Sequence, residues 1–464
     1  MRIAPQRDLL AGLTVGVVAL PLALAFGITS GLGAAAGLVT AIVAGIVAAV
    51  FGGSNVQVSG PTGAMTVVLV PIVATYGANG VLVVGIMAGL LLVVMAFAGL
   101  GRYIRFVPLP VIEGFTLGIA VIIALQQVPA ALGQQASGEQ VVLNALDALL
   151  AWLSAPQWPA LLLTVGTAAL ILAAARLRVR PAVPVALIAV VAATVLVQLT
   201  DLPVTAIGAL PAGLPAPHLP DFTWSDLRVL AAPALAVAAL AALEILLSAT
   251  VADAMSVSGR HDPDRELFGQ GLANIASPLF GGIPATAAIA RTAVNVRTGA
   301  VSRLAALVHA LVLVVVVLAL GTVVALIPLA ALAGVLIATA ARMVEVSSLR
   351  VLLRASRSDA IVLIVTFVAT VALDLATAVI LGIVAAGATA LRQVARSTSL
   401  TEVPLSDGAD SHSASERALL DEHIVAYRLD GPLFFGGAHR CAAGARGDHR
   451  HPRGDPSHVA SEHS

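Results

Sequence analysis

The sequence consists mainly of apolar runs that are each about as long as a lipid bilayer is thick. A bilayer core of about 30 Å needs around 20 apolar residues in a straight helix. Of the 464 residues, 59% are hydrophobic and 11% are charged, and the mean hydropathy is +0.99. An average soluble chain carries roughly 25% charged residues. The sequence therefore predicts an all-α membrane protein that crosses the bilayer many times.

Charged residues and Gly/Pro-rich breaks divide this sequence into fourteen predicted transmembrane segments. The first seven cover residues 8–30, 33–52, 61–75, 80–99, 110–129, 159–176 and 181–199. The second seven cover residues 231–252, 266–280, 285–298, 301–327, 329–345, 358–373 and 375–394. Residues 139–153 have the pattern of an amphipathic connector. The transmembrane domain is thus expected to cover residues 1–396.

The arginine positions predict the orientation of these segments. All 25 residues in the Lys and Arg count are Arg, and 19 of them lie in residues 1–396. Seventeen of the 19 fall on one side of the fourteen segments, whereas Arg228 falls on the other side and Arg291 falls within a segment. Basic residues accumulate in cytoplasmic loops. We therefore expect a multi-pass protein of the inner (plasma) membrane with both termini in the cytoplasm.

Two short segments, the third and the tenth, open on similar Gly/Pro motifs. Ser59–Ala64 precedes the third segment, Gly281–Thr286 precedes the tenth, and their prolines lie 223 residues apart. The same offset separates the starts of the first and eighth segments. Because seven is odd, residues 8–199 and 231–394 then form an inverted 7+7 repeat. Such paired, interrupted segments mark the midplane site of secondary transporters; the alternative is that Gly and Pro are simply common in membrane helices.

The two interrupted segments are predicted to bind an anion. Proline suits the first turn of a helix, so Pro61 and Pro284 are expected to begin half-helices. The first amides of such helices lack carbonyl partners, and each helix start carries about half a positive charge. Small side chains leave this backbone approachable, and two threonine hydroxyls can add donors. The predicted substrate-binding residues at these helix starts are Thr62, Gly63, Ala64, Thr286, Ala287 and Ala288.

Two further residues are candidates for the wall of this site. Arg291 follows Pro284 by about two helical turns, and an isolated Arg at mid-membrane costs around 2.5–3.5 kcal/mol. It is either a fixed positive charge beside the anion or a side chain that extends to the membrane surface. Phe26 in the first segment either lines the cavity or packs against other apolar side chains.

A carboxylate and a hydroxyl are the candidates for binding a coupling ion. Glu244 is the only carboxylate placed well inside a predicted segment, and Ser248 lies one turn further along the same helix face. A carboxylate in such a site can exchange a proton, or can bind a sodium ion together with hydroxyls and carbonyls. The alternatives are a permanently protonated Glu244 or a structural pair with Arg291. Glu113, at the start of the fifth segment, is expected to be an end-of-helix residue.

These residues together resemble the sulphate permease (SulP) anion-transporter family over nearly the whole of residues 1–396. The matching stretches are Ala19–Pro21 through Ala25–Gly27, Val58–Ala64, Arg265–Asn274 and Phe280–Thr292. The resemblance implies a 7+7 inverted repeat, a core domain that moves against a gate domain, a substrate site between helices three and ten, and a homodimer. It also implies that Phe26 lines the site, that Glu244 is the coupling carboxylate, and that Arg291 is the basic residue of helix ten.

The C-terminal part resembles the beginning of that family's STAS domain, a small α/β domain. After a predicted linker at 397–422, residues 423–437 alternate like strands and include an Asp-Gly-Pro turn. Residues 438–464 contain almost no large apolar side chains and cannot form a core. We expect this tail to be disordered, and to result from a shifted reading frame or an early truncation. A His-rich metal-binding tail is the alternative.

The sequence as a whole favours a secondary active anion transporter that works by alternating access. Proton-coupled symport of a dicarboxylate such as fumarate, of sulphate or of bicarbonate is preferred, because Glu244 has only Ser248 as a nearby hydroxyl. A sodium-coupled symporter, an uncoupled anion channel or exchanger, and a nucleobase carrier of the same architecture are the alternatives. An enzyme is not expected, since residues 1–396 contain three scattered His and no Cys. No cofactor, metal site or nucleic-acid partner is predicted.

Overall fold

The computed structural model of the chain describes residues 4–134, 140–177, 179, 183–211, 213–256, 259–373, 375–397, 399–403 and 426–430. The first nine α-helices are α1 Pro5–Thr29, α2 Ala34–Phe51, α3 Gly63–Phe97, α4 Leu109–Gln126, α5 Val128–Ala131, α6 Val141–Ser154, α7 Trp158–Arg176, α8 Val185–Thr200 and α9 Trp224–Met255. The others are α10 Pro263–Leu279, α11 Ile289–Arg297, α12 Leu304–Val324, α13 Leu329–Met343, α14 Val346–Ala355, α15 Arg357–Ala372 and α16 Leu375–Ser397. A 3-10 helix spans Leu100–Phe106.

A helix lies at each of the fourteen predicted segments. The third and fourth segments both lie in α3, whose 35 residues are interrupted at Gly77, where φ is +69°. Only glycine adopts such a conformation without strain, so Gly77 separates two spans. The amphipathic connector predicted at residues 139–153 is helix α6. By length and composition, eight helical stretches in the described part of the chain can cross a membrane, and one of them, Leu329–Ala355, is α13 taken together with α14. Helices α8, α10 and α15, at 16 or 17 residues, and the nine-residue α11 are shorter.

Two short strands meet where the sequence predicted two helix starts. Strand β1, Ser59–Gly60, pairs antiparallel with β2, Thr286–Ala287. The prediction that Pro61 and Pro284 begin helices is therefore wrong. The pairing keeps the chain extended through both prolines, so α3 begins at Gly63 and α11 begins only at Ile289.

The helices pack in two groups that share a boundary at α4 and α13. One group contains α1, α2, α3, α9, α10, α11 and α12, with α10 packed against both α2 and α3, and α1 against α12. In the other group, α4 packs against α15 and α13 packs against α7. Contacts of α3 with α4 and of α1 with α13 join the groups. Strands β1 and β2 lie in the first group, since they contact α2 and α9 respectively.

The chain divides into two compact units, Met1–Ile383 and Val384–Ser464. In the second unit, β3 (Ser399–Val403) pairs antiparallel with β4 (Ala426–Asp430). Strand β3 lies within the predicted linker, which is therefore not entirely irregular, because its backbone pairs with that of β4. Strand β4 lies within residues 423–437, and its assignment to a STAS domain stays a prediction. The predicted tail at 438–464 lies outside the described residues.

The close packing of α1 on α2 generates a stability prediction. A methyl group added at Gly37 would overlap the carbonyl oxygen of Ala23 and lie 2.9 Å from the Cα of Gly27. Overpacking of this kind costs about 1–3 kcal/mol. We therefore expect Gly37→Ala to lower the thermal midpoint of the purified protein, measured by size-exclusion chromatography after heating.

Gly166→Ala in α7 is the matched control, because a methyl group there meets no atom within 4 Å. Alanine is the better helix former by about 1 kcal/mol, so the control is expected to keep or slightly raise the midpoint. Equal midpoints for the two variants would contradict the tight packing of α1 on α2.

Candidate functional site

The strand pair places the starts of α3 and α11 next to each other. The two strands run in opposite directions, so the helices that follow them leave the pair in opposite directions. The first helical hydrogen bonds are from Thr66 N to the Thr62 carbonyl and from Thr292 N to the Ala288 carbonyl. The amides before these two donors have no carbonyl partner in their own helices. Both positive helix ends therefore point towards the same region.

The helix-start amides that lack a carbonyl partner in the structure differ in part from the predicted ones. Residues 62–64 and 286–288 were the candidates, but the amide of Ala288 donates to the Val58 carbonyl at 3.1 Å. Because β2 extends the chain up to Ala287, the helix-start amides in the second half are those of residues 289–291. In the first half, they are those of residues 63–65.

Three oxygen atoms from three elements form a compact triangle at the strand pair. Glu244 Oε2, in α9, accepts hydrogen bonds from Thr62 Oγ1 at 2.9 Å and from Thr286 Oγ1 at 2.6 Å. The two threonine hydroxyls lie 2.9 Å from each other. Three of the predicted site residues are therefore in direct contact. The expectation that Ser248 is the only hydroxyl near Glu244 is wrong, since the strand pairing brings in two more.

Ser248 lies one turn beyond Glu244 in α9. Its side chain is fully buried, and its Oγ has no hydrogen-bond partner within the described residues. A buried hydroxyl without a partner is costly. Ser248 Oγ is therefore available to a bound group.

Arg291 lies in the first turn of α11 and is 1% exposed. Its Nη2 donates a hydrogen bond to the carbonyl of Pro61, and its Nη1 lies beside Gly60, where an added Cβ would overlap it. The side chain therefore does not extend to the membrane surface. Within the described residues, Arg291 and Glu244 form no ion pair. The guanidinium instead joins the second helix start to the backbone of the first.

Phe26 and Ile123 close the site around Gly63. A Cβ on Gly63 would lie 3.3 Å from Cε1 of the Phe26 ring and would overlap Cδ1 of Ile123, in α4. Ala64 and Ala287 are buried beside the same helix starts. The predicted residues thus converge, and Ile123, which sequence reasoning missed, brings α4 into contact with α3.

Polar side chains that sequence reasoning missed hold the extended backbone in place. Asn274, in α10, bonds both backbone groups of Ala285, with Nδ2 donating to the carbonyl at 2.9 Å and Oδ1 accepting from the amide at 2.8 Å. Gln270 Nε2, one turn earlier, donates to Ser59 Oγ at 2.5 Å. Their signal was present in the sequence, because buried amide side chains are rare in an apolar helix.

A second carboxylate is also fully surrounded by protein. Glu266, at the start of α10, is 2% exposed and accepts hydrogen bonds from the amides of Gly53 and Ser54 at 2.7 and 2.8 Å. Its other oxygen accepts from Gln270 at 3.1 Å. Glu266 therefore holds the end of α2 on α10. Glu113 accepts a hydrogen bond from Ser348 Oγ at 2.7 Å, which joins α4 to the first turn of α14.

A comparison with protein-family models identifies the family of this chain. The model of the sulfate permease family matches residues 6–366. The chain belongs to the sulfate permease family. This is a family of membrane transporters and not of enzymes, and its members include sulfate and bicarbonate transporters.

Individual relatives of this sulfate permease family member agree with the family assignment. It is 39% identical to the putative sulfate transporter YvdB of Bacillus subtilis, covering 93% of this chain and 81% of the relative. It is 36% identical to the bicarbonate transporter BicA of Synechocystis, covering 93% and 78%.

Solved structures share the fold of this family member. The transmembrane domain of a cyanobacterial bicarbonate transporter BicA matches with a TM-score of 0.74 and 34% identity, covering 82% of this chain and 97% of that one. The murine Slc26a9 anion transporter in the inward-facing state matches with a TM-score of 0.83 and 17% identity, covering 98% and 80%. The second likeness concerns the fold alone.

The contact between α3 and α4 generates a prediction for this sulfate permease family member. Gly63→Ala adds a methyl group that overlaps Ile123 and presses on Phe26. Since displacements of about 1 Å at a site can cost up to about a hundredfold in rate, we expect anion uptake to fall at least about tenfold. Uptake is measured in proteoliposomes that contain equal amounts of folded protein.

Ile123→Ala supplies the companion variant, since it removes the carbon atoms that the new methyl group would meet. The double variant Gly63→Ala/Ile123→Ala is expected to recover most of the uptake lost in Gly63→Ala. A double variant as inactive as Gly63→Ala would show that the Ile123 contact is not the cause.

Proposed function

We propose that this protein is a secondary active transporter that carries a small anion together with a proton by alternating access. The observation that carries the proposal is the contact of Glu244 with Thr62 and Thr286, at 2.9 and 2.6 Å. One carboxyl group thereby bonds residues that come just before the two helix starts at which an anion would bind. A change in the charge of Glu244 therefore changes the electrostatic potential at the whole anion site.

Counting hydrogen atoms supports the proton as the coupling ion. The triangle of Glu244 Oε2 and the two threonine hydroxyls has three oxygen–oxygen contacts of 2.6 to 2.9 Å. Each contact of this length needs a hydrogen atom between the oxygens. The two hydroxyls supply two hydrogen atoms. A proton on Glu244 Oε2 supplies the third, with Oε2 then donating to one threonine hydroxyl and accepting from the other, so the closed triangle suits a protonated carboxyl group.

The anion would bind against the two helix starts. Helix N-termini favour anions, and those of α3 and α11 face the same region. Thr62, Gly63 and Ala64 from the first half, and Thr286, Ala287 and Ala288 from the second, are the proposed substrate-binding residues, with Phe26 as a wall. Arg291 adds a fixed positive charge behind Pro61. Sulfate, bicarbonate and dicarboxylates such as fumarate are the substrate candidates, the first two being named for the relatives.

Alternating access would arise from motion of one helix group against the other. We assign α1–α3 and α9–α12 to a core domain, and α4, α7, α8, α13, α15 and α16 to a gate domain, as an inverted 7+7 repeat. The contact of Gly63 with Ile123 lies at the boundary between them. A homodimer in the plasma membrane, with both termini cytoplasmic, completes the proposal.

A sodium-coupled symporter is the second candidate, and Ser248 is the observation that favours it. Its buried Oγ lacks a partner in the described part of the chain and lies one turn from Glu244, which itself contacts two threonine hydroxyls. Hard cations prefer such oxygen ligands. An uncoupled channel or exchanger needs no carboxylate at this position, and a nucleobase carrier needs no Arg291.

Uptake by proteoliposomes tests the proposal. Labelled sulfate, fumarate and bicarbonate are supplied with and without an inward proton gradient, in sodium-free and sodium-containing buffer. We expect one anion to accumulate above equilibrium only when the proton gradient is imposed. Glu244→Gln keeps the size of the side chain but cannot exchange a proton, so it is expected to lose accumulation.

Glu113→Gln is the matched control, because Glu113 bonds Ser348 away from the helix starts and its loss is expected to leave the proton dependence intact. Accumulation that requires sodium instead of the proton gradient would establish the sodium symporter. Downhill flux that is indifferent to both gradients and to Glu244→Gln would establish a channel or exchanger and refute coupling at Glu244.

A further inference from the structure

Helix α14, which lies between two transmembrane segments, carries arginines beside apolar side chains. Its ten residues, Val346–Ala355, span about 15 Å, half of what a bilayer core requires. It connects α13 to α15, which occupy the twelfth and thirteenth predicted transmembrane segments. A short helix between two membrane-spanning helices lies near the membrane surface.

One face of α14 is attached to the protein. Leu352 is buried, and Leu349 is half-buried beside it. Ser348 Oγ of α14 donates a hydrogen bond to Glu113 Oε1 of α4, at 2.7 Å. The helix packs against α15 and α4. These contacts fix which side chains of α14 point outward.

The outward face combines arginine and apolar side chains. Arg350 and Arg354 are exposed and lie one turn apart, so they are neighbours on the helix surface. Val346 is 51% and Leu353 47% exposed, and both lie between this pair and the buried side of the helix. The adjoining helix ends add two more exposed arginines, Arg342 and Arg357.

Carboxylates do not neutralise this face. Glu345 precedes the helix, Asp359 follows it in α15, and Glu113 faces its attached side. None of them forms an ion pair with an arginine within the described residues. The outward face of α14 therefore has a net positive charge next to exposed apolar surface.

We infer that this face, formed by Val346, Arg350, Leu353 and Arg354, binds the headgroups of anionic phospholipids. A helix with basic and apolar residues side by side settles in the interfacial plane of a bilayer, with its apolar side chains in the acyl boundary and its basic side chains at the headgroups. Anionic lipids are concentrated in the cytoplasmic leaflet, where the proposed orientation places α14. Through Ser348, the bound lipid holds α4, the helix whose Ile123 meets Gly63.

A fluorescent probe on α14 tests lipid binding without reference to transport. In the full chain with Cys441→Ser, exposed Ser347 is replaced by Cys and labelled, and quenching by headgroup-labelled lipid is measured in nanodiscs. We expect at least about twofold more quenching in phosphatidylglycerol-containing discs than in pure phosphatidylcholine, and a loss of the difference at high salt, where screening is strong.

Two double variants make the test specific. Arg350→Gln/Arg354→Gln is expected to abolish the difference between the lipids. Arg260→Gln/Arg265→Gln, which removes the same charge from exposed residues around the start of α10, is expected to keep it. Equal quenching in both lipids, or a loss of the difference in both double variants, would overturn the inference. Protection of the probe that increases with protein concentration would also overturn it, because a second copy of the chain would then cover this face.

The expected effect of the lipid on flux rests on the proposed function, whereas lipid binding itself does not. A transport measurement therefore separates the two. Anion uptake by the unmodified protein is expected to be faster with phosphatidylglycerol, and uptake by Arg350→Gln/Arg354→Gln is expected to be indifferent to it. A lipid-dependent quenching signal combined with gradient-independent uptake would retain the lipid site and reject the proton coupling. The reverse combination would reject the lipid site alone.

Discussion

The antiparallel pairing of Ser59–Gly60 with Thr286–Ala287 is the interaction on which the rest of the site depends. Extended backbone deep in a membrane protein has no water to bond its amides and carbonyls, so it exists only where protein groups satisfy it. Here the two strands satisfy each other in part, and Asn274 bonds both backbone groups of Ala285. The polar side chains of α10 are therefore a structural requirement of the strand pair in an otherwise apolar molecule.

The strand pair also determines how charge is arranged. It directs two helix N-termini at one region and brings Thr62 and Thr286 within 2.9 Å of each other, although they lie 224 residues apart in sequence. Glu244 then bonds to both hydroxyls, while Arg291 bonds the carbonyl of Pro61. Positive helix ends, a fixed guanidinium and a carboxyl group thus lie close together. Electrostatic interactions between such groups are stronger inside a protein than at its surface.

The strand pair and Ile123 belong to different helix groups. The strand pair and α9 contact α10, and Glu266 ties α10 to the end of α2. Ile123 comes from α4, which Ser348 of α14 bonds at Glu113. Helix α14 is therefore linked through α4 to the wall of the site, and this is the route by which the proposed lipid contact would act on the site.

The sequence by itself determined the membrane-spanning segments, because length and hydrophobicity are local properties that the chain carries wherever it folds. It also pointed to Thr62 and Thr286 through their Gly/Pro motifs, and to Glu244 and Arg291 because charged residues in apolar segments are costly and stand out. Only the tertiary structure decided that α11 begins at Ile289, because strand pairing is an interaction between distant residues that no local pattern encodes. For the same reason, the number of hydroxyls around Glu244 could not be read from its own helix.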